Sequence, residues 1–178
     1  IDFILLGVLF VWSLVGVFSW VLVYFLPDEY YSVDYLLVGS VSVPLFVMLS
    51  ETTSVGIGVK RKTYFSMISS VLAFLCNGAL NYYLIPIYGV AGAAVATILS
   101  FFVYYTAKTE FSSSIWISFP RFRSYILISL YTFSTVYLLI NNIISIYFRF
   151  MWVLLMITTL FLYKERVHQL YLYLVKRI

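Results

Sequence analysis

The sequence predicts an all-α membrane protein that crosses the bilayer several times, and three observations carry that prediction. Hydrophobic residues make up 63% of the 178-residue chain and charged residues only 10%, whereas soluble domains carry about a quarter charged residues. The apolar residues fall in six runs of membrane-spanning length, which takes roughly 20 residues per helix. The basic residues crowd onto alternate connections between those runs, the bias that orients spanning helices. Mean hydropathy is +1.02. Barrel strands would alternate polar and apolar residues over about ten positions, and no run does so.

In chain order the expected spans are residues 3–26, 33–57, 64–85, 88–107, 125–141 and 147–163. The first closes on Pro27, Asp28 and Glu29. The second is far more polar, with Ser40, Ser42, Pro44, Ser50, Glu51, Thr52, Thr53 and Ser54, and it ends at Lys60, Arg61 and Lys62. The third and fourth are joined by a tight Pro86-Ile87-Tyr88-Gly89 turn. Residues 108–124 form the longest connection, and Ile115, Trp116, Ile117 and Phe119 in it suit the membrane interface, where Trp is favoured. Residues 164–178 read as an amphipathic tail. Val167, Leu170, Tyr171, Leu174 and Ile178 share one helical face opposite Lys164, Glu165, His168 and Arg177, as in a helix lying on an anionic leaflet.

Ten of the eleven basic residues fall on one side of this arrangement, leaving Arg149 opposite as an interfacial anchor, while Asp28, Glu29 and Asp34 fall on the other side. The basic side is then cytoplasmic and so is the C-terminus. The net charge of +4 is spread over short loops and is no sign of nucleic-acid binding. Cys76 is the single cysteine, so there is no disulfide framework and no metal-ligand spacing. The first run lacks a basic flank and a cleavage site and is no signal peptide; with Ile1 at the start, the expectation is the C-terminal part of a longer transporter. No nucleotide-binding glycine pattern and no metalloprotease motif is present, and neither a cofactor nor a catalytic residue is expected.

Candidate ligand residues fall on two polar stripes. Glu51 is the one acidic residue well inside a span, about 13 Å from the Lys60 end at 1.5 Å per residue. A mid-span charge costs roughly 2.5–3.5 kcal/mol on the insertion scale, so Glu51 faces the bundle interior or an aqueous cavity. Steps of three and four place it with Ser40, Pro44, Val47, Ser54 and Gly58. It reads as a cavity-lining carboxylate for a proton or a substrate group, as one half of a pair with a neighbouring helix, or as a side chain snorkelling toward the interface. On the third span Ser66, Ser70, Ala73, Asn77 and Asn81 share a face. Amides both donate and accept and suit sugar hydroxyls or phosphate oxygens, and they equally suit bonds between helices, worth only about 0.6 kcal/mol each in a membrane. Ser54, Ser70, Asn77 and Asn81 join Glu51 as cavity candidates. Lys60, Arg61 and Lys62 serve topology first and contact a lipid diphosphate second. Gly92, Ala96 and Ser100 form a small-residue packing ridge, and His168 is a solvated side chain on the tail.

Residues 77–102 read NGALNYYLIPIYGVAGAAVATILSFF. This run resembles the polysaccharide-biosynthesis flippases of the multidrug/oligosaccharidyl-lipid/polysaccharide exporter superfamily. Asn77 and Asn81, Leu84-Ile85-Pro86 with Gly89, and Gly92-Ala93-Ala94-Val95-Ala96-Thr97 carry the likeness, with Pro27-Asp28-Glu29-Tyr30, Gly58 and Lys62 upstream. It covers about residues 1–110; the last two spans follow by position only. The resemblance implies most of the C-terminal lobe of a transporter of twelve to fourteen helices, working by alternating access in the bacterial inner membrane. It implies a substrate, an undecaprenyl-diphosphate-linked oligosaccharide, and as partners the lipid bilayer, a polysaccharide polymerase and chain-length machinery.

Two rival readings stand beside it. A multidrug or toxin exporter would need acidic cavity residues, and the six spans offer only Glu51. A membrane-embedded polymerase needs acid–base residues on sizeable outer loops, and the connections near residues 27–32, 86–87 and 142–146 are short.

Overall fold

The computed structural model describes residues 1–25, 27, 30, 33–118, 120–141 and 146–164. Among them the chain is all-helical, without a strand. The helices are α1 (Asp2–Phe18), α2 (Val33–Thr53), α3 (Val55–Val59), α4 (Tyr64–Tyr88), α5 (Val90–Ile115), α6 (Phe122–Asn141) and α7 (Ile146–Leu162), with a 3-10 segment, Ser19–Phe25, after α1. Five of the apolar segments are long enough to cross a membrane: Asp2–Val21, α2, α4, α5 and α6; α7 is apolar but shorter. This is the pattern of a multi-pass membrane protein. The tail beyond Lys164, with His168 and the basic residues near its end, lies outside the described residues, as do Asp28, Glu29 and Phe119.

Helix α5 is the spine. It packs against α4, α2, α6 and α3; α2 packs in turn on α1 and α6, and α1 pairs with α7. Aromatic rings knit the centre. Trp12 meets Phe46 edge-on with centroids 5.5 Å apart and Tyr131 at 5.7 Å, and Tyr131 meets Trp152 at 5.8 Å. Such pairs add about 0.5–1.5 kcal/mol beyond the area they bury. Within this apolar centre the Tyr131 hydroxyl lies 2.7 Å from Ser13 Oγ and 3.1 Å from Thr159 Oγ1, which ties α1, α6 and α7 together. Unpaired hydroxyls there would be costly.

The structure moves four boundaries. The first span leaves α-geometry at Ser19 and continues as the 3-10 segment. There Trp20 lies under the Arg149 guanidinium at 5.0 Å from its ring centroid. The second span is not one helix to residue 57. It breaks at Ser54 (φ −90°, ψ 9°), after Ser50, Thr52 and Thr53 each bond back to a carbonyl three or four residues earlier, a habit that bends helices. The expected Pro86–Gly89 turn is a reversal at Gly89 alone: Pro86 sits in the last turn of α4, and Gly89 takes φ +56°.

The fourth change is the largest. Residues 108–115, expected in a loop, continue α5, because their polar groups find partners on α2 and α3. Thr109 Oγ1 lies 2.6 Å from Thr53 Oγ1, and Ser112 Oγ accepts the Gly56 N–H at 3.1 Å. A fork from Arg121 to Glu110, both bonds 2.7 Å, then joins the end of α5 to the start of α6, and Tyr125 donates its hydroxyl to the same carboxylate at 2.7 Å. That carboxylate holds the Arg121 guanidinium above its ordinary pKa, chiefly through the hydrogen bond.

The α3–α4 connection carries Lys60, Arg61 and Lys62. Arg61 N–H donates to Gly58 O and Lys62 N–H to Ile57 O, both at 3.0 Å, the paired bonds of a Schellman helix end. That end requires a left-handed residue, and here Arg61 supplies it at φ +55°. A side chain in that region costs about 1–2 kcal/mol. Arg61→Gly is therefore expected to raise thermal stability in detergent by up to about 1 kcal/mol, less the entropy glycine adds to the unfolded chain. A lower melting temperature would show that the arginine makes contacts worth more than its strain.

Candidate functional site: a groove between α2 and α4 over α5

Helices α2 and α4 both pack on α5 and barely touch each other. Over α5 runs a groove of two adjoining hollows that share Thr97, the first lined by α2 and α5 alone and the second by Val47 of α2 with α4 and α5. The first, nearer Gly89, has a volume of about 480 Å³. Leu36, Gly39, Ser40, Val43 and Pro44 of α2 wall it on one side, and Val90, Ala93 and Ala94 of α5 form its base. The small residues make the space. The second, nearer the basic end, has about 460 Å³ and is lined by Val47, by Ser70, Ala73, Phe74 and Asn77 of α4, and by Ser100, Phe101 and Tyr104 of α5. Both volumes fall in the ordinary range for ligand clefts.

The polar groups of this groove mostly present lone pairs. Ser70, Thr97 and Ser100 each donate their hydroxyl hydrogen to a carbonyl four residues back, at 3.0, 2.9 and 2.6 Å, which leaves their oxygens to accept. Pro44 lies inside α2 and has no N–H to give the Ser40 carbonyl, so that oxygen loses its helical partner. Asn77 is the complement. Its Oδ1 accepts the Asn81 amide at 2.8 Å, leaving its own N–H groups to donate. Phe74, Phe101 and Tyr104 add ring faces. A ligand rich in hydroxyl donors, with flat apolar faces, matches this lining.

An ion pair lies one turn beyond the basic end. Lys108 Nζ bonds to Glu51 Oε1, one turn beyond Tyr104 on α5 and one turn beyond Val47 on α2, and the ammonium lies 5.1 Å from the Tyr104 ring centroid. The burial is lopsided: the side chain of Lys108 is 6% exposed and that of Glu51 61%. Glu51 thus has the partner on a neighbouring helix that its sequence allows, and neither it nor Lys108 lines either hollow.

Of the residues singled out from sequence, Ser70 and Asn77 line the second hollow. Asn81 lies one turn away in a more open depression with Gly78, Tyr82, Tyr83 and Pro86, and its buried Oδ1 has no hydrogen-bond partner. Ser54 is buried at the α2–α3 break with its hydroxyl directed at the Glu51 carbonyl, 3.4 Å away, and lines neither hollow. Lys60, Arg61 and Lys62 are exposed beyond the basic end. Sequence reasoning missed Thr97, Tyr104 and Lys108. Their signal was present: with Ser100 they recur every three or four residues along α5, a polar stripe on one helical face. The ridge of Gly92, Ala96 and Ser100 divides. Gly92 packs on the Leu84 backbone and Ala96 is buried, while Ser100 faces the hollow. Among the described residues no cluster of His, Cys, Asp or Glu could hold a metal. The chain matches no protein-family model, no curated protein and no solved structure.

Proposed function

We propose that the chain is the C-terminal part of a flippase that moves a lipid-linked oligosaccharide across the bacterial inner membrane by alternating access, with α7 as a sixth span and the basic end in the cytoplasm. In this reading the α2–α4 groove is one wall of the path. The lipid is an undecaprenyl diphosphate, and the product feeds a polysaccharide polymerase and its chain-length machinery for O-antigen, capsule or exopolysaccharide.

One observation carries the proposal: the acceptor-rich lining of the groove, with Asn77 as donor and three aromatic faces. Sugars are dense in O–H donors and present flat C–H faces to rings, so this lining suits a glycan. A cation exporter would need free negative charge in the groove, and the carboxylate available, Glu51, is already neutralised by Lys108. Loss of the gene is expected to strand lipid-linked repeat units on the cytoplasmic leaflet. Normal surface polysaccharide in such a strain, with no second flippase present, would end this reading, and hypersensitivity to cationic drugs in its place would favour the exporter.

A further inference from the structure

We propose that the Glu51–Lys108 pair is an exchangeable counterion pair, in which a phosphate-type anion on the ligand replaces Glu51 at the Lys108 ammonium, one turn beyond the basic end of the groove. This rests on the reading of the groove as a ligand path and adds which group meets the charge on the ligand.

The lopsided burial carries the argument. A buried ammonium stripped of its counterion pays a desolvation penalty of several kcal/mol, so Lys108, only 6% exposed, is never left alone. It is also held from the other side by the Tyr104 ring. Glu51 is different. At 61% exposure it is not held in place by packing, and a rotamer change withdraws it from the ammonium without disturbing its neighbours. The cation is therefore the fixed member and the anion the replaceable one.

Depth selects the anion. Helix α5 has 26 residues, about 39 Å at 1.5 Å per residue, close to the roughly 40–45 Å of a bilayer with its headgroups. Lys108 lies seven residues before Ile115, about 10 Å from the helix end, a few ångströms inside the hydrocarbon border, since each headgroup layer is only about 5–7 Å thick. Phosphate is the anion membranes concentrate just outside that depth, within reach of the long lysine side chain, and Lys60, Arg61 and Lys62 at the same end add attraction. The second hollow begins one turn away at Tyr104, so an anion seated on Lys108 would lead the rest of its molecule toward Asn77 and Thr97.

The test measures phosphorus-31 line broadening with the full chain in lipid nanodiscs. One arm adds inorganic pyrophosphate from solution, and the other includes phosphatidic acid among the nanodisc lipids. Wild type is expected to broaden at least one signal, pyrophosphate marking a soluble anion and phosphatidic acid a headgroup. Glu51→Gln removes the internal competitor and is expected to tighten binding about tenfold, or 1.4 kcal/mol. The double exchange Glu51→Lys with Lys108→Glu keeps an ion pair, and hence the fold, but leaves a carboxylate at the buried position, so binding is expected to vanish. Unchanged or weaker binding in Glu51→Gln, equal binding in the exchanged protein, or no response in either arm overturns the proposal. None of these outcomes depends on transport, and a strain that exports polysaccharide normally would refute the flippase reading without altering the binding result.

Discussion

Gly92→Ala is expected to destabilise the chain by about 1–3 kcal/mol, the usual cost of forcing an extra carbon into a filled contact. The added Cβ would collide with the Leu84 carbonyl oxygen and stand 2.6 Å from its carbon. Both atoms belong to backbone, so no side chain can swing aside. The consequence is local as well as energetic. Helix α4 has only 6% of its spanning window buried, against 39–44% for the other four long segments, and its attachment is almost wholly to α5. Spreading that one crossing removes α4 from the groove it walls. Gly78→Ala is the control, since a Cβ there meets nothing within 4 Å and gains up to about 1 kcal/mol of helix propensity. Thermal unfolding in detergent, followed by size-exclusion, compares the two. Equal melting temperatures would show that α4 does not depend on this contact.

Glu51→Ala is expected to cost more stability than Lys108→Ala, although the two remove opposite ends of one bond. Without Glu51 a buried ammonium has lost its charged partner, and a buried donor in that state costs about 1–3 kcal/mol, more when charged. Without Lys108 a carboxylate that is mostly exposed takes up water or lipid headgroup contacts, for a loss of about 1 kcal/mol or less. The double variant should then recover part of the Glu51→Ala loss, because the uncompensated charge is gone. Melting temperatures of the three variants in the same detergent decide the matter. Equal single losses would mean that Lys108 is no more buried than its partner.

This asymmetry also marks where the sequence could and could not be read. Helical order, five of the six expected apolar spans and a sharp reversal within Pro86–Gly89 were legible, because they rest on local composition and on the special backbone freedom of one glycine. The Ser70–Asn77 face was legible from period alone. Lys108 was not. Counted as a charge after an apolar run, a lysine reads as a loop residue, and only a partner 57 positions away makes its burial tolerable. The same tertiary satisfaction keeps Thr109 and Ser112 helical where their composition suggested a connection. Ser54 shows the converse error: periodicity put it on the Glu51 stripe, but the hydroxyl-rich run before it bends the chain, and the stripe ends there.

The groove itself was half visible. Its α2 and α4 walls follow from the stripes through Pro44, Val47, Ser70 and Asn77. Its floor does not: Gly92, Ala96 and Ser100 were assigned to packing, because small residues in spanning helices ordinarily mark close contact, and the neighbouring Ala93 and Ala94 were given no part in a cavity. Here their smallness leaves space instead, since α2 does not close over them.

The central claim is that this groove carries the oligosaccharide, and Thr97, which lines both hollows, is the place to ask. With a photoreactive benzoylphenylalanine at Thr97, irradiated cells making radiolabelled lipid-linked oligosaccharide are expected to yield a labelled protein adduct. The same probe at Phe133, 66% exposed on the outer face of α6, is expected to yield phospholipid adducts alone. Labelling from Phe133 as strong as from Thr97, or none from Thr97, would contradict the account.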